Sequence, residues 1–177
     1  LWGATGVMNS MQKTLAVVFD RGVSRSLVRE RLVSGPRVRG ALGVILAAGK
    51  GSRLQPITLT RSKAMLPILG KPMVERVMEH LAANGANDFI LGVSPDDHYI
   101  TRSFRRESEI EAEVRFVYQL QRLGMANALQ SAAPLITQDF VLSACDNLVS
   151  AEHVGRMIEA WRTEPRPNAV LTLMPVE

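Results

Sequence analysis

The sequence predicts an α/β fold, a three-layer αβα sandwich with a mostly parallel sheet covered by helices on both faces. Two observations carry that expectation. From residue 41 onward, short apolar runs alternate with stretches of helical period. The runs are apolar at nearly every position, as strands buried on both faces are. A third observation agrees with them. Gly49, Gln119 and Asp146 each follow one of these runs, and ligands in such sheets lie beyond the carboxyl ends of the strands.

The first run, residues 42–48, reads as a buried strand that breaks into Gly49-Lys50-Gly51. Residues 56–70 follow as an irregular segment punctuated by Pro56, Pro67 and Gly70. A helix then starts at Pro72, where the absent N–H costs nothing. Met73, Val74, Val77, Met78, Leu81 and Ala82 recur at helical spacing and make its buried stripe, and Asn84-Gly85 ends it. Residues 89–93 form the second strand, 96–106 a polar helix and 114–118 the third strand. A small-residue helix over 125–133 stops at Pro134, and 140–144 is the fourth strand. Ser150 is placed to cap a helix reaching about Arg162, and 169–173 is a fifth strand.

Residues 1–40 read as a basic leader or upstream extension, set apart from the domain at 41–177. Seven basic groups (Lys13, Arg21, Arg25, Arg29, Arg31, Arg37 and Arg39) face two acidic ones there, Asp20 and Glu30. The other 137 residues carry 14 basic and 15 acidic groups. The net charge of +4 therefore belongs to the leader, and the near-neutral body argues against a nucleic-acid partner. Within the leader, 14–19 could pair as a strand and 24–33 forms a short basic helix before Ser34-Gly35-Pro36. Its Arg- and Ser-rich, acid-poor composition is also that of an organellar transit peptide, although an extension is the preferred reading. The chain begins at Leu1, with Met8 and Met11 as alternative starts.

A composition of 46% hydrophobic and 21% charged residues is ordinary for a globular domain. No apolar run approaches the length of a membrane span. The one cysteine, Cys145, excludes an internal disulfide and suits a reducing, cytoplasmic compartment. Homo-oligomerisation is left open by the sequence.

The glycine loop after the first strand is the chemical centre. Without side chains in the way, backbone N–H groups approach a ligand closely, and Lys50 and Arg53 add positive charge suited to polyphosphate. The P-loop pattern is absent, since four residues do not separate a glycine from Gly-Lys-Ser/Thr. The dinucleotide turn is absent too, because a third glycine and an acid about 20 residues on are missing. A second basic stretch, Arg61-Ser62-Lys63-Ala64-Met65-Leu66-Pro67, strengthens the phosphate reading.

The ordered set Leu46-Ala47-Ala48-Gly49-Lys50-Gly51-Ser52-Arg53-Leu54, Pro56-Ile57-Thr58, Ser62-Lys63, Leu66-Pro67 and Gly70-Lys71-Pro72-Met73 resembles the signature of the sugar-1-phosphate nucleotidylyltransferases. The resemblance continues through Gln119-Leu120-Gln121-Arg122-Leu123-Gly124-Met125-Ala126 and Ala144-Cys145-Asp146-Asn147. The interval from Arg53 to Lys63 is similar to that of the glucose-1-phosphate thymidylyl- and uridylyltransferases. It implies a Rossmann-like NTP-transferase fold and a Mg²⁺-dependent transfer from a nucleoside triphosphate, dTTP or UTP favoured, to a sugar 1-phosphate.

By motif position, the resemblance implies that Arg53 holds the β- and γ-phosphates and Lys63 neutralises the α-phosphate. Leu46, Ala47, Ala48, Gly49, Gly51 and Ser52 would line the nucleotide. Gln119 would read a pyrimidine edge, since an amide offers donor and acceptor, with Gly124 admitting the base. Asp146 would bind Mg²⁺, a hard cation that takes oxygen ligands.

Two residues depart from the pattern: Ser62 stands where many members have proline, and Cys145 where glycine is usual. The family's second half, with sugar-binding groups, a second lysine and a second acidic metal ligand, has no counterpart here. The expectation is therefore the N-terminal part of a nucleotidyltransferase domain, its C-terminal half missing. A non-catalytic nucleotide-binding homologue of the same fold is the alternative. A nicotinamide-dependent dehydrogenase is disfavoured by the turn chemistry, and a cytidylyl- or molybdopterin-type transferase is a further architecture of this kind. Cys145 reads as a small buried hydrophobe, Lys71 and Met73 as structural, and His80, His98 and His153 as surface groups without metal-ligand spacing.

Overall fold

The apolar runs pair as a sheet in the computed structural model, which describes residues 17–19, 41–106, 112–121, 123–165 and 167–173. In chain order the strands are β1 (Val17–Phe19), β2 (Leu42–Leu46), β3 (Pro67–Ile68), β4 (Lys71–Pro72), β5 (Asp88–Val93), β6 (Glu113–Tyr118), β7 (Phe140–Ala144) and β8 (Ala169–Leu171). The α-helices are α1 (Met73–Ala82), α2 (His98–Arg106), α3 (Met125–Ala132) and α4 (Ala151–Arg162). The main sheet has the order β6-β5-β2-β7-β1-β8, and β3-β4 is a separate hairpin. Strands β6, β5, β2 and β7 are mutually parallel.

Because successive side chains of a strand point to opposite faces, β2 divides its residues between two cores. Leu42 and Val44 join Ile90, Leu142, Ala132 and Ile136 on the face covered by α3. Ile45 joins Phe89, Leu91 and Val141 on the other face, under the α1 stripe Val74, Val77, Met78 and Leu81. Helix α4 adds Val154, Met157, Ile158 and Trp161 to that core, and α2 adds Ile100. Helices on both faces make this the expected αβα sandwich.

Gly43 is required for that packing. A Cβ there would stand 2.5 Å from Phe89 Cδ1, and the ring is fully buried and cannot retreat. Helix α4 begins as read from sequence, with Ser150 Oγ accepting from His153 N at 3.2 Å. Gly85, at φ +90°, follows the end of α1.

Three findings differ from or add to the sequence reading. The segment 56–70 was expected to be irregular, but it contains 3₁₀ turns at Ile57–Leu59 and Lys63–Met65 and leads into the β3-β4 hairpin. The hairpin turns on Leu69 (φ +49°) and Gly70 (φ +83°), and Arg76 holds it by donating to Leu69 O (2.9 Å) and Ile68 O (3.3 Å). Strand β1, from the leader, runs antiparallel between β7 and β8, so the fifth predicted strand does not pair with the fourth. The predicted helix at 24–33 lies outside the described residues.

His80 and His153 are half-buried, not surface groups. His80 Nδ1 lies 2.7 Å from Val149 O and must donate to it. His153 Nε2 lies 2.9 Å from Thr172 Oγ1. His98 is exposed, as expected.

Gly43→Ala is expected to destabilise the fold by about 1–3 kcal/mol, the usual cost of overpacking a filled core. Urea unfolding of the variant would show it as a lower midpoint.

Candidate active site

Three backbone hydrogen bonds carry the sheet ladder past its strand ends. Ala47 N donates to Gly92 O (2.7 Å), Cys145 N to Leu46 O (3.0 Å) and Gln119 N to Val93 O (2.9 Å). All lie at the carboxyl ends of parallel strands, so the glycine loop, Gln119 and Asp146 leave the sheet along one edge. The chain passes from β2 to β5 and β6 and then returns to β7 on the other side of β2. That reversal opens a crevice at the end of β2.

Leu46 is half-buried and its carbonyl is spent in the ladder, while Ala47 and Ala48 are buried. Gly49 is exposed, and a Cβ added to it would meet nothing within 4 Å. The loop therefore presents bare backbone to open space there. Gly51 has the opposite character. Its φ is +63°, and a Cβ would approach Lys63 Cβ and Thr58 Cγ2 to 3.0 Å. Thr58 Oγ1 donates to Gly51 O at 2.8 Å. Gly51 thus seats the loop directly on the turn that carries Lys63. Ser52 and Arg53 occupy the following 3₁₀ turn, Ser52–Leu54, and both are exposed. Arg53 makes no ion pair with a described residue.

Lys63 is anchored by its neighbours, since Ala64 and Met65 are buried in the core. Its Nζ donates to Asp146 Oδ2, joining two residues 83 positions apart. The side chains are 26% and 40% exposed. Beside the pair, Ser62 Oγ and Asn147 Nδ2 are buried without a hydrogen-bond partner, polar groups that a bound ligand or water would satisfy.

Gln119 is 6% exposed. Its Nε2 donates to Gly124 O (3.1 Å) and to Asn127 Oδ1 (3.0 Å). Both amide hydrogens are therefore committed within the protein, and the backbone carbonyl fixes which end of the amide is nitrogen. Among the described residues nothing engages Oε1, so the amide is left with an acceptor, not the donor and acceptor expected from sequence. Gly124, at φ +100°, precedes α3. Asn127 had no signature in the sequence, because its role depends on how the first turn of α3 stands against Gln119.

Cys145 is buried, and its thiol is pushed up to about 12, first by burial and then by the Asp146 charge. It is a neutral packing group at physiological pH. Among the described residues no three His, Cys, Asp or Glu side chains cluster as a metal cage. The single carboxylate of Asp146 fits a hard cation whose other ligands are phosphate oxygens and water, the usual arrangement for Mg²⁺.

The nucleotidyl transferase family model matches residues 42–177. The chain belongs to that family. The UTP–glucose-1-phosphate uridylyltransferase AglF of Haloferax volcanii is 30% identical to it over 134 residues, covering 76% of this chain and 54% of the relative. A mannose-1-phosphate guanylyltransferase of Mycobacterium tuberculosis is 27% identical over 133 residues, covering 75% of this chain and 37% of the relative. The UTP-bound UGPase of Acinetobacter baumannii shares the fold, with a TM-score of 0.62 at 20% identity, over 71% of this chain and 53% of that one. The chain thus spans about half the length of the uridylyltransferase and little more than a third of the guanylyltransferase. None of its described helices is long and apolar enough to cross a membrane.

Two outcomes follow from this geometry. Gly51→Ala forces an L residue into the left-handed region, at about 1–2 kcal/mol, and pushes on Lys63. Weaker nucleotide binding together with a lower melting temperature is expected, read by calorimetry and thermal unfolding. The second concerns pH. The Cys145 thiol is raised above its ordinary value of 9.0, so its contribution to stability is full below that pH. It is lost as pH rises towards 12, because the unfolded chain ionises first. Urea unfolding between pH 8 and 11 should show a shallower decline in Cys145→Ala than in the parent.

Proposed function

We propose that this domain transfers a nucleotidyl group from a nucleoside triphosphate to a sugar 1-phosphate, releasing pyrophosphate. The observation that carries the proposal is the meeting of Lys63 and Asp146 beside the open glycine loop. A phosphate oxygen of the sugar 1-phosphate attacks the α-phosphorus. The bond to the oxygen bridging the α- and β-phosphorus breaks, and that oxygen leaves with pyrophosphate. Negative charge converges and then departs, so catalysis consists of positioning and charge stabilisation.

Bare backbone at Gly49 would admit the triphosphate. Arg53, whose planar fork suits phosphate oxygens and keeps its charge, would hold the β- and γ-phosphates. Lys63 would take the α-phosphate. Asp146 would supply the protein oxygen for Mg²⁺, which when bound adds positive charge against the phosphates and the leaving pyrophosphate.

The acceptor-only presentation of Gln119 supports dTTP or UTP. At the ring nitrogen, thymine and uracil offer an N3–H to an acceptor, whereas those of cytosine and adenine are themselves acceptors and only their exocyclic amino groups donate. Two facing acceptors leave both unpaired, at about 1–3 kcal/mol each when buried. Guanine also carries a ring N–H, and the guanylyltransferase relative makes GTP the second reading. The single cysteine and the phosphorylated substrates suit action in the cytoplasm.

Pyrophosphate release from a panel of nucleotides with glucose, glucosamine and mannose 1-phosphates tests this reading. Turnover with dTTP or UTP should exceed that with CTP or ATP by at least about tenfold. GTP preference would select the second reading, and binding without turnover would point to a non-catalytic homologue. Arg53→Ala should slow turnover by about 10²–10³-fold; an unchanged rate would remove Arg53 from the mechanism.

A further inference from the structure

We propose that Lys63 is the resident cation of Asp146 in the nucleotide-free protein. A divalent cation and the lysine then compete for one carboxylate, and the nucleotide decides between them. The inference rests on the nucleotidyl-transfer reading above. That reading needs the ammonium on phosphate and the carboxylate free for a metal ion, yet Lys63 Nζ donates to Asp146 Oδ2. The two arrangements oppose each other, because the ammonium on Asp146 Oδ2 neutralises the carboxylate charge that a metal ion would need and repels that ion.

The exchange needs only side-chain rotation. Lys63 is held at its base by buried Ala64 and Met65 and by close packing against Gly51. The turn carrying Asp146 is held by Cys145 N on Leu46 O and by Asn147 N on Ala144 O. The side chains themselves remain 26% and 40% exposed, so solvent screens the pair. Such a pair holds its partners by a factor of about five in equilibrium constant or less, which a triphosphate with its metal ion can overcome. The unpartnered Ser62 Oγ and Asn147 Nδ2 belong to the residues next in sequence to Lys63 and Asp146. Local hydrogen bonding is therefore incomplete in the lysine-bound arrangement.

The consequence is an order. Without nucleotide, Asp146 is neutralised internally and has little affinity for a divalent ion. When phosphate draws Lys63 away, the carboxylate becomes available. Nucleotide and metal ion then favour each other's binding reciprocally.

Calorimetric titration of the protein with UTP in EDTA tests this, using the parent, Asp146→Asn, Lys63→Met and the double variant. Releasing Lys63 by Asp146→Asn should tighten metal-free UTP binding by about five- to tenfold. The same change in the Lys63→Met background should give a clearly smaller gain, since only charge repulsion is then relieved. Equal gains in both backgrounds would overturn the exchange while leaving the nucleotide reading intact. Absence of UTP binding in all four forms would overturn both. Asp146→Ala repeats the comparison without the amide.

Discussion

The backbone ladder on β2 is the constraint on which the rest depends. Each residue from Leu42 to Leu46 faces a parallel partner on both sides, in β5 and in β7. With both faces buried, no water is available to the backbone groups, so they must pair within the protein. The ladder runs on to Ala47 and Cys145 before it stops. Where it stops, the chain is released, and the points of release are the glycine loop and the turn carrying Asp146. The site's position is thus a by-product of satisfying hydrogen bonds in a central strand.

Above that edge the charges are held loosely on rigid supports. Lys63 projects from a turn whose next two residues are buried, and Gly51 packs on its Cβ. Asp146 follows a buried, protonated Cys145, which adds bulk and no charge. The ion pair between them is partly exposed and therefore weak. A strong pair would hold both groups away from a ligand, whereas a weak one keeps them positioned and available. Gln119 is built the other way. It is buried and doubly bonded through Nε2, so its one remaining polar function is directed and fixed. On the proposed reading the difference has a reason: a cation that meets phosphate tolerates rotation, whereas a group that reads the edge of a base does not.

Much of the fold could be read from residue order. The apolar runs at 89–93, 114–118 and 140–144 lie within β5, β6 and β7, because burial on both faces leaves an unbroken apolar signature. Ser150 could be read as a cap because capping is local. The β3-β4 hairpin escaped, since its turn uses Leu69-Gly70 instead of the Asn-Gly or Asp-Gly pair that usually marks such turns. The place of β1 escaped as well. Three apolar residues in the leader say nothing about which strands they will lie between.

The sequence by itself determined the αβα architecture, the strand ends at which chemistry gathers, and the membership of Gly49, Gly51, Arg53, Lys63, Gln119 and Asp146 in one pattern. The first two are consequences of periodicity and turn chemistry, which act between neighbours in the chain, and the third is what the family resemblance implies. Only the tertiary structure decided that Lys63 bonds Asp146 across 83 residues, that Gly51 is the seat for Lys63, and that Asn127 removes a donor from Gln119. Each of these is a contact between groups remote in sequence or in different elements. Sheet order and register set their geometry, and neither is encoded in any local stretch of residues.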